Sequence, residues 1–275
     1  MNKIDADNVG KGNGIANPFG DVLSEVRDQV LWVTINRESV RNALNDSVLE
    51  AIAKLFNQAD KDSSLRAIVV TGAGNRVFCA GGDLKPDSAT FDFDYSRPST
   101  AYADLMRTAH RTNLPTIARV NGHCLAGGMG LLAMCDMAIS TDEALFGLPE
   151  VKIGMFPMQV AAVLRRIVNA RTFAELCYCG DSISAAEAKD FGLLNYVVPG
   201  TELDNKLDWL LQRVTTKSPT AIRRGKYALR ATLDMDFEQS LAYMETQLGT
   251  LSLTADSAEG LASFNEKRQP NWTGR

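Results

Sequence analysis

The chain has 275 residues, 45% apolar and 23% charged, which is enough for a sizeable core. Its 29 basic and 33 acidic residues leave a net charge of -4 with the signs mixed along the chain, so it lacks the basic stripe that a nucleic-acid surface needs. No apolar run approaches the ~18 residues of a membrane span, and neither nucleic acid nor membrane is expected as a partner.

Residues 1–20, "MNKIDADNVGKGNGIANPFG", are polar and glycine-rich with no apolar signal core, and are expected to form a flexible tail. "VLWVTIN" (30–36) is β-branched and aromatic and reads as a strand. "NALNDSVLEAIAKLFNQADKD" reads as an amphipathic helix, with Leu44, Val48, Ile52 and Leu55 at helical spacing. "LRAIVVTG" (65–72) is a continuous apolar run, the pattern of a strand buried on both faces. "KPDSATFDFDYSRPST" (85–100) is turn-rich and aromatic, either a mobile loop beside a ligand or a plain surface loop.

"STAYADLMRTAHRTN" reads as a helix, and "PTIARVNG" (115–122), "CDMAISTD" and "LNYVVP" as strands. "SAAE" (184–187) is a capping box, with Gly192 able to end its helix. Strands and helices alternate to about residue 200, the mark of an α/β layered domain with crossover connections. Beyond Pro199 only helices follow, at roughly 202–216, 219–232, 236–250 and 256–268. The expected organisation is therefore a tail (1–20), an α/β core carrying the site (21–200) and a C-terminal helical region (201–275).

The cysteines, Cys79, Cys124, Cys135, Cys177 and Cys179, are odd in number, and three sit in apolar runs. The Cys-x-Cys at 177–179 has no second pair, and the histidines are His110 and His123 alone. No metal site or prosthetic group is expected, and a reducing, cytoplasmic compartment fits this cysteine usage.

Two glycine turns carry the chemical argument. "LAGGMGLLAMCD" begins a helix near Gly128 just after a strand, and "FCAGGDLK" follows another apolar strand. The first turn of a helix has unpaired N–H groups and a positive dipole end, and glycine lets a ligand approach them without meeting a Cβ. Two such turns facing one another offer two N–H donors to an enolate or tetrahedral oxyanion. The alternative is that each glycine serves only a tight turn or close packing. Neither segment is a phosphate-binding fingerprint.

Taken together, "INRESVRNALN", "FCAGGDLK", "VNGHCLAGGMGLLAMCDMAIS", "FGLPEVKIGMFP" and "FNEKRQPNW" resemble the ordered motifs of the crotonase, or enoyl-CoA hydratase/isomerase, superfamily across about residues 22–273. The resemblance implies a spiral of ββα units, a C-terminal helical trimerisation region, and trimers or dimers of trimers. It implies a coenzyme A thioester as substrate, with coenzyme A present only as part of that substrate. By motif position the oxyanion donors are the N–H groups of Gly82 and Gly127. The adenine and pantetheine follow Arg41, Ala43, Ala80, Asp83 and Leu84. Lys267 is either a ligand of a CoA phosphate, in its own or a neighbouring subunit, or a solvated surface charge.

Hydratases of the family carry two glutamates, and here the corresponding positions are Gly130 and Glu150. Gly130 is thus a departure from the two-acid pattern. Glu150, after a proline and between apolar residues, is expected to have a raised pKa suited to moving protons near neutral pH. Gln159 and Asp83 are candidates to orient water in place of the missing acid. A dehalogenase would need an aspartate in "MFPMQVAAVL", which has none. That stretch either lines an acyl pocket or packs as helix core. The expected activity is hydration of a 2-enoyl-CoA. The alternatives are 3-enoyl-CoA to 2-enoyl-CoA isomerisation with Glu150 as sole base, and a non-catalytic CoA-binding protein.

Overall fold

The computed structural model describes residues 20–84 and 94–275. The expected tail, apart from Gly20, and the first part of the 85–100 loop lie outside the described residues. Val22–Arg27 (β1) and Val30–Ile35 (β2) form an antiparallel hairpin. Asp46–Lys61 (α1) begins later than the periodicity suggested, because Asn45 caps it by accepting from the Val48 N–H. Leu44, which shares the helical spacing, lies before the helix and forms a β-bridge with Gly82.

Three turns of chain then repeat one plan. The first is Ala67–Gly72 (β3), Val77–Cys79 (β4) and Ala101–Arg111 (α2). The second is Thr116–Val120 (β5), His123–Leu125 (β6) and Gly127–Ala133 (α3). The third is Met137–Thr141 (β7), Leu145–Gly147 (β8), a 3-10 turn at Pro149–Ile153 and Met158–Leu164 (α4). Ala170–Cys179 (α5), Ser182–Ser184 (β9), Ala185–Asp190 (α6) and Tyr196–Val198 (β10) close the α/β part. The capping box at Ser184 and Glu187 is present as expected. The helices Leu203–Thr215 (α7), Pro219–Ala231 (α8), Phe237–Ser252 (α9) and Ala255–Glu266 (α10) follow.

The first strand of each turn joins a larger sheet ordered β1-β2-β3-β5-β7-β10, parallel from β2 onward. The second strand joins a smaller sheet ordered β4-β6-β8-β9, in which β4, β6 and β8 are parallel. This is the ββα spiral. The strands of the smaller sheet are three residues each, too short to show alternation, and the sequence reading did not resolve them.

The larger sheet is buried on both faces, which explains its continuous apolar runs. Leu31, Val33, Ile68 and Val70 face the main core with Val48, Ile52, Leu55 and Phe56 of α1. Val30, Trp32, Val69, Ile117 and Ile139 face the other way and are covered by Leu203, Leu207, Leu210 and Leu211 of α7.

Two details hold the turns in place. Asn42, buried with a positive φ of 53°, donates its amide to the carbonyls of Ala73 and Val77 (3.0 and 2.7 Å) and accepts from the Arg37 N–H (3.1 Å). Gly128 lets α3 seat directly on β4, since a Cβ there would lie 2.5 Å from the Cys79 carbonyl oxygen. A Cβ at Gly127 would meet nothing closer than 3.5 Å. Of the adjacent glycines, one is required by packing and the other is not.

Urea unfolding will separate the two: Gly128→Ala is expected to lose about 1–3 kcal/mol through a displaced helix, while Gly127→Ala stays close to wild type. Asn42→Ala strands two carbonyls and an N–H and is expected to cost about 2–3 kcal/mol in the same assay.

Candidate active site

The site follows from the smaller sheet. β4, β6 and β8 lie side by side, with Cys79 opposite Cys124, Cys124 opposite Phe146 and Leu125 opposite Gly147. The chain leaves the carboxyl ends of all three in one direction, into Ala80–Leu84, Ala126–Gly127 and Leu148–Glu150. Crevices at the carboxyl ends of parallel strands are where α/β sheets bind ligands.

The first of these segments is laced to residues 41–44. The Ala80 N–H donates to the Arg41 carbonyl (3.1 Å), the Leu44 N–H to the Gly81 carbonyl (2.8 Å) and the Asp83 N–H to the Leu44 carbonyl (2.8 Å). These bonds make the parallel bridge between Leu44 and Gly82. In such a bridge the opposed residue directs its own N–H away from its partner, so the Gly82 N–H points off the other edge. Arg37 locks the segment from below, with contacts to the Asp83 carboxylate (3.0 Å), the Ala43 carbonyl (2.6 Å) and Asp21 (3.0 Å). The Arg37 and Asp83 side chains are only 14% and 7% exposed. Asp83 is therefore an anchor of this turn, and its carboxylate is not turned toward water as the orienting role required.

The second turn touches the first. A Cβ on Gly81 would lie 2.5 Å from the Ala126 Cβ and 3.1 Å from the Gly127 nitrogen. Ala126 has φ 49° and ψ -124°, a conformation that a non-glycine residue holds only under constraint. Its N–H is held by the Gly147 carbonyl at 2.9 Å. The helix α3 begins at Gly127, one residue before the expected start, so the Gly127 N–H is one of the unpaired groups of a first turn.

Glu150 lies in the 3-10 turn that continues β8, with Pro149 as its first residue. Its side chain is partly buried, and its Oε2 is buried with no hydrogen-bond partner among the described residues. Burial raises its pKa above the ordinary glutamate value. Cys177 of the packed helix α5 is raised to about 11, by its own burial first and by the Glu150 charge second.

The space at Gly130 is not empty. Tyr102, on the first turn of α2, donates its hydroxyl to the Gly127 carbonyl at 2.5 Å. A Cβ placed on Gly130 would overlap that hydroxyl and lie 2.7 Å from the Met106 Cε. The space that a side chain at 130 would enter is thus filled by a phenol from another helix. Burial raises the Tyr102 pKa, and the charges of Cys79, Cys124 and Glu150 add to the effect. The sequence reading missed Tyr102: a lone tyrosine early in "STAYADLMRT" carries no sign that it meets a glycine on α3.

Arg41, Ala43, Ala80, Asp83 and Leu84 come together around Gly82, with Arg41 and Leu84 exposed at the rim. Lys267 lies elsewhere, as the exposed C-cap of α10, which packs on α8 and α9. Gln159 is engaged in a hydrogen bond from its Nε2 to Thr100, the N-cap of α2 (2.6 Å). Val160 and Leu164 of α4 are core, while Met158 is exposed. His123 accepts the Leu145 N–H at its Nδ1 and holds β6 to the start of β8. Among the described residues no group of three or more His, Cys, Asp or Glu is placed to hold a metal ion, and no helix is long and apolar enough to cross a membrane.

The family model described as enoyl-CoA hydratase/isomerase matches residues 25–275. Enoyl-CoA hydratase EchA19 of Mycobacterium tuberculosis is 34% identical over 262 residues, covering 93% of this chain and 97% of that protein. The short-chain-enoyl-CoA hydratase of Clostridium acetobutylicum is 30% identical over 252 residues, covering 91% and 97%. The crystal structure of an enoyl-CoA hydratase from Bacillus anthracis superposes with a TM-score of 0.85 at 29% identity, covering 93% of this chain and all of that one. A Mycobacterium smegmatis enoyl-CoA hydratase gives 0.84 at 30% identity, covering 92% and 98%. With its ββα spiral and a match over nearly its whole length, the chain belongs to the enoyl-CoA hydratase/isomerase family.

Proposed function

We propose that the protein is an acyl-CoA enzyme that adds water reversibly to a 2-enoyl-CoA, with Glu150 as its single catalytic carboxylate. The observation that carries this reading is the delivery of two glycine turns and one partly buried glutamate from three adjacent parallel strands. The Gly82 and Gly127 N–H groups hold the thioester oxygen, and charge moves onto that oxygen as the double bond is attacked. Such donors act on charge that develops only in the transition state, which is why each lowers the barrier. Arg41, Ala43, Ala80, Asp83 and Leu84 form the wall along which the coenzyme A portion lies, and the rim position of Arg41 suits a phosphate. Lys267 meets coenzyme A only across a subunit boundary in this reading.

One feature supports an oligomer, a homotrimer or a dimer of trimers. Phe237, Leu241 and Leu248 of α9 and Leu261 and Phe264 of α10 are exposed, between 46% and 81%. Such apolar exposure on one helical region marks an association surface. The five free cysteines suit a reducing compartment, and the cytoplasm is the proposed location.

A second reading is favoured by Gly130. With one carboxylate, Glu150 can take a proton from one carbon of a 3-enoyl-CoA and return it to another, which is isomerisation. Separate incubations with a 2-enoyl-CoA and a 3-enoyl-CoA decide between them. Loss of conjugated absorbance with a gain of water by mass spectrometry supports hydration, and appearance of conjugation from the second substrate supports isomerisation. Binding of both without turnover would leave a CoA-binding protein.

Glu150→Gln is expected to lower kcat by about 10²–10⁴, and full activity in that variant would overturn both catalytic readings. Because desolvation raises the Glu150 pKa, its carboxylate form is lost on acidification at a higher pH than for an ordinary glutamate. The rate of hydration is therefore expected to rise with pH through that raised value and then level, measured as kcat/KM against pH. The acid limb should be absent from any residual activity of Glu150→Gln.

A further inference from the structure

We propose that the Tyr102 hydroxyl is a catalytic residue of this enzyme, holding the attacking water where a second carboxylate would otherwise stand. The inference rests on the hydratase reading above and adds the group that this reading lacks. Its ground is a single point in space: the Tyr102 oxygen occupies the position from which a side chain at residue 130 would leave α3. The same oxygen is bonded to the carbonyl of Gly127, the residue that opens the oxyanion helix. The space beside Gly130 is not a void for solvent to fill at random. An oxygen-bearing side chain that arrives from α2 stands in it.

The first turn of α2 is fixed from both sides of the site. Tyr102 is tied to α3 through Gly127, and its neighbour Thr100 accepts the amide of Gln159, on the helix that follows the Glu150 turn. Burial first, and then the charges of Cys79, Cys124 and Glu150, disfavour ionisation of the phenol. The hydroxyl therefore stays neutral, with its hydrogen committed to the Gly127 carbonyl and its lone pairs directed elsewhere. A neutral phenol of this kind accepts a hydrogen bond and takes no proton.

The proton count closes with one acid. A water molecule rests with one O–H on the Tyr102 oxygen and the other on the Glu150 carboxylate. Its oxygen bonds to Cβ while Glu150 takes the second hydrogen as a proton. The Cα=Cβ electron pair becomes a double bond between Cα and the thioester carbonyl carbon, and the C=O π pair moves onto the thioester oxygen, held by the two backbone N–H groups. Collapse of that enolate takes the proton from Glu150 to Cα, and Glu150 returns to its starting form. One water is consumed, no proton is gained or lost by the protein, and Tyr102 is unchanged.

The test uses Tyr102→Phe, which keeps the ring and removes the oxygen. Two rates are measured on the full-length protein: hydration of a 2-enoyl-CoA, and exchange of the α-hydrogens of the matching saturated acyl-CoA in D₂O. Exchange needs Glu150 and the oxyanion donors but no water at Cβ. The expected result is a drop in hydration kcat of about 10²-fold with KM unchanged, and α-exchange at the wild-type rate. Undiminished hydration in Tyr102→Phe overturns the proposal, and so does an equal loss of both rates, which assigns Tyr102 to positioning α3. A wild-type protein that exchanges α-hydrogens or isomerises but adds no water overturns the hydratase reading, and this proposal with it. The pair Tyr102→Ala with Gly130→Glu gives the second check. Hydration above that of Tyr102→Ala alone supports the exchange of one oxygen for the other, and hydration no better than the single variant's, with exchange intact, overturns it.

Discussion

Three parallel strands of three residues each, β4, β6 and β8, hold the rest of the site in register. Neighbouring strands in a sheet are held about 4.8 Å apart by their hydrogen bonds. Whatever leaves their carboxyl ends is therefore spaced by the same ladder. Here the departing segments are the Gly82 turn, the start of α3 and the Glu150 turn. None of these strands has the length to be stable alone. Each is the second strand of a turn whose first strand lies in the larger, doubly covered sheet, so the small sheet draws its rigidity from the large one.

The turns of the site are tied by backbone contacts and locked by few side chains. The pair of Arg37 and Asp83 is nearly buried, and Arg37 also satisfies the Ala43 carbonyl, the kind of additional bonding a buried ion pair needs to offset its desolvation. Asn42 does the same work with neutral groups, joining the turn before α1 to the ends of β3 and β4. The constraint appears again as strain at Ala126, whose left-handed backbone sets the direction of α3. Preorganisation of this sort matters because a donor that must move to meet an oxyanion loses its advantage in water-like reorganisation.

Polar groups around the centre are sparse and each has a distinct environment. Glu150 combines a buried, unpartnered oxygen with a pKa that burial raises above the ordinary glutamate value. Cys79 and Cys124, fully buried beneath the turns, are pushed upward and act as small apolar packing, with the Cys79 sulfur accepting the Gly81 N–H. In the proposed mechanism the chemistry is left to one carboxylate, one phenol and two main-chain amides.

Much of this was legible in the residues. The long strands and most helices announce themselves through runs such as "LRAIVVTG" and through caps such as Ser184, because periodicity and capping are local properties. The ordered motifs singled out Gly82, Gly127 and Glu150, which the fold brings to the ends of neighbouring strands, and marked Gly130 as a departure. The sequence alone did not separate the two glycines: a Cβ on Gly128 would overlap the Cys79 carbonyl while one on Gly127 would make only ordinary van der Waals contacts, a difference that exists only once α3 is laid on β4. Nor did it assign Asp83 to Arg37, or Tyr102 to Gly130, since each pair is joined across the fold by contacts with no spacing rule in the chain. Local order was written in the sequence, while the partner of each polar group was decided by which strands the spiral set side by side.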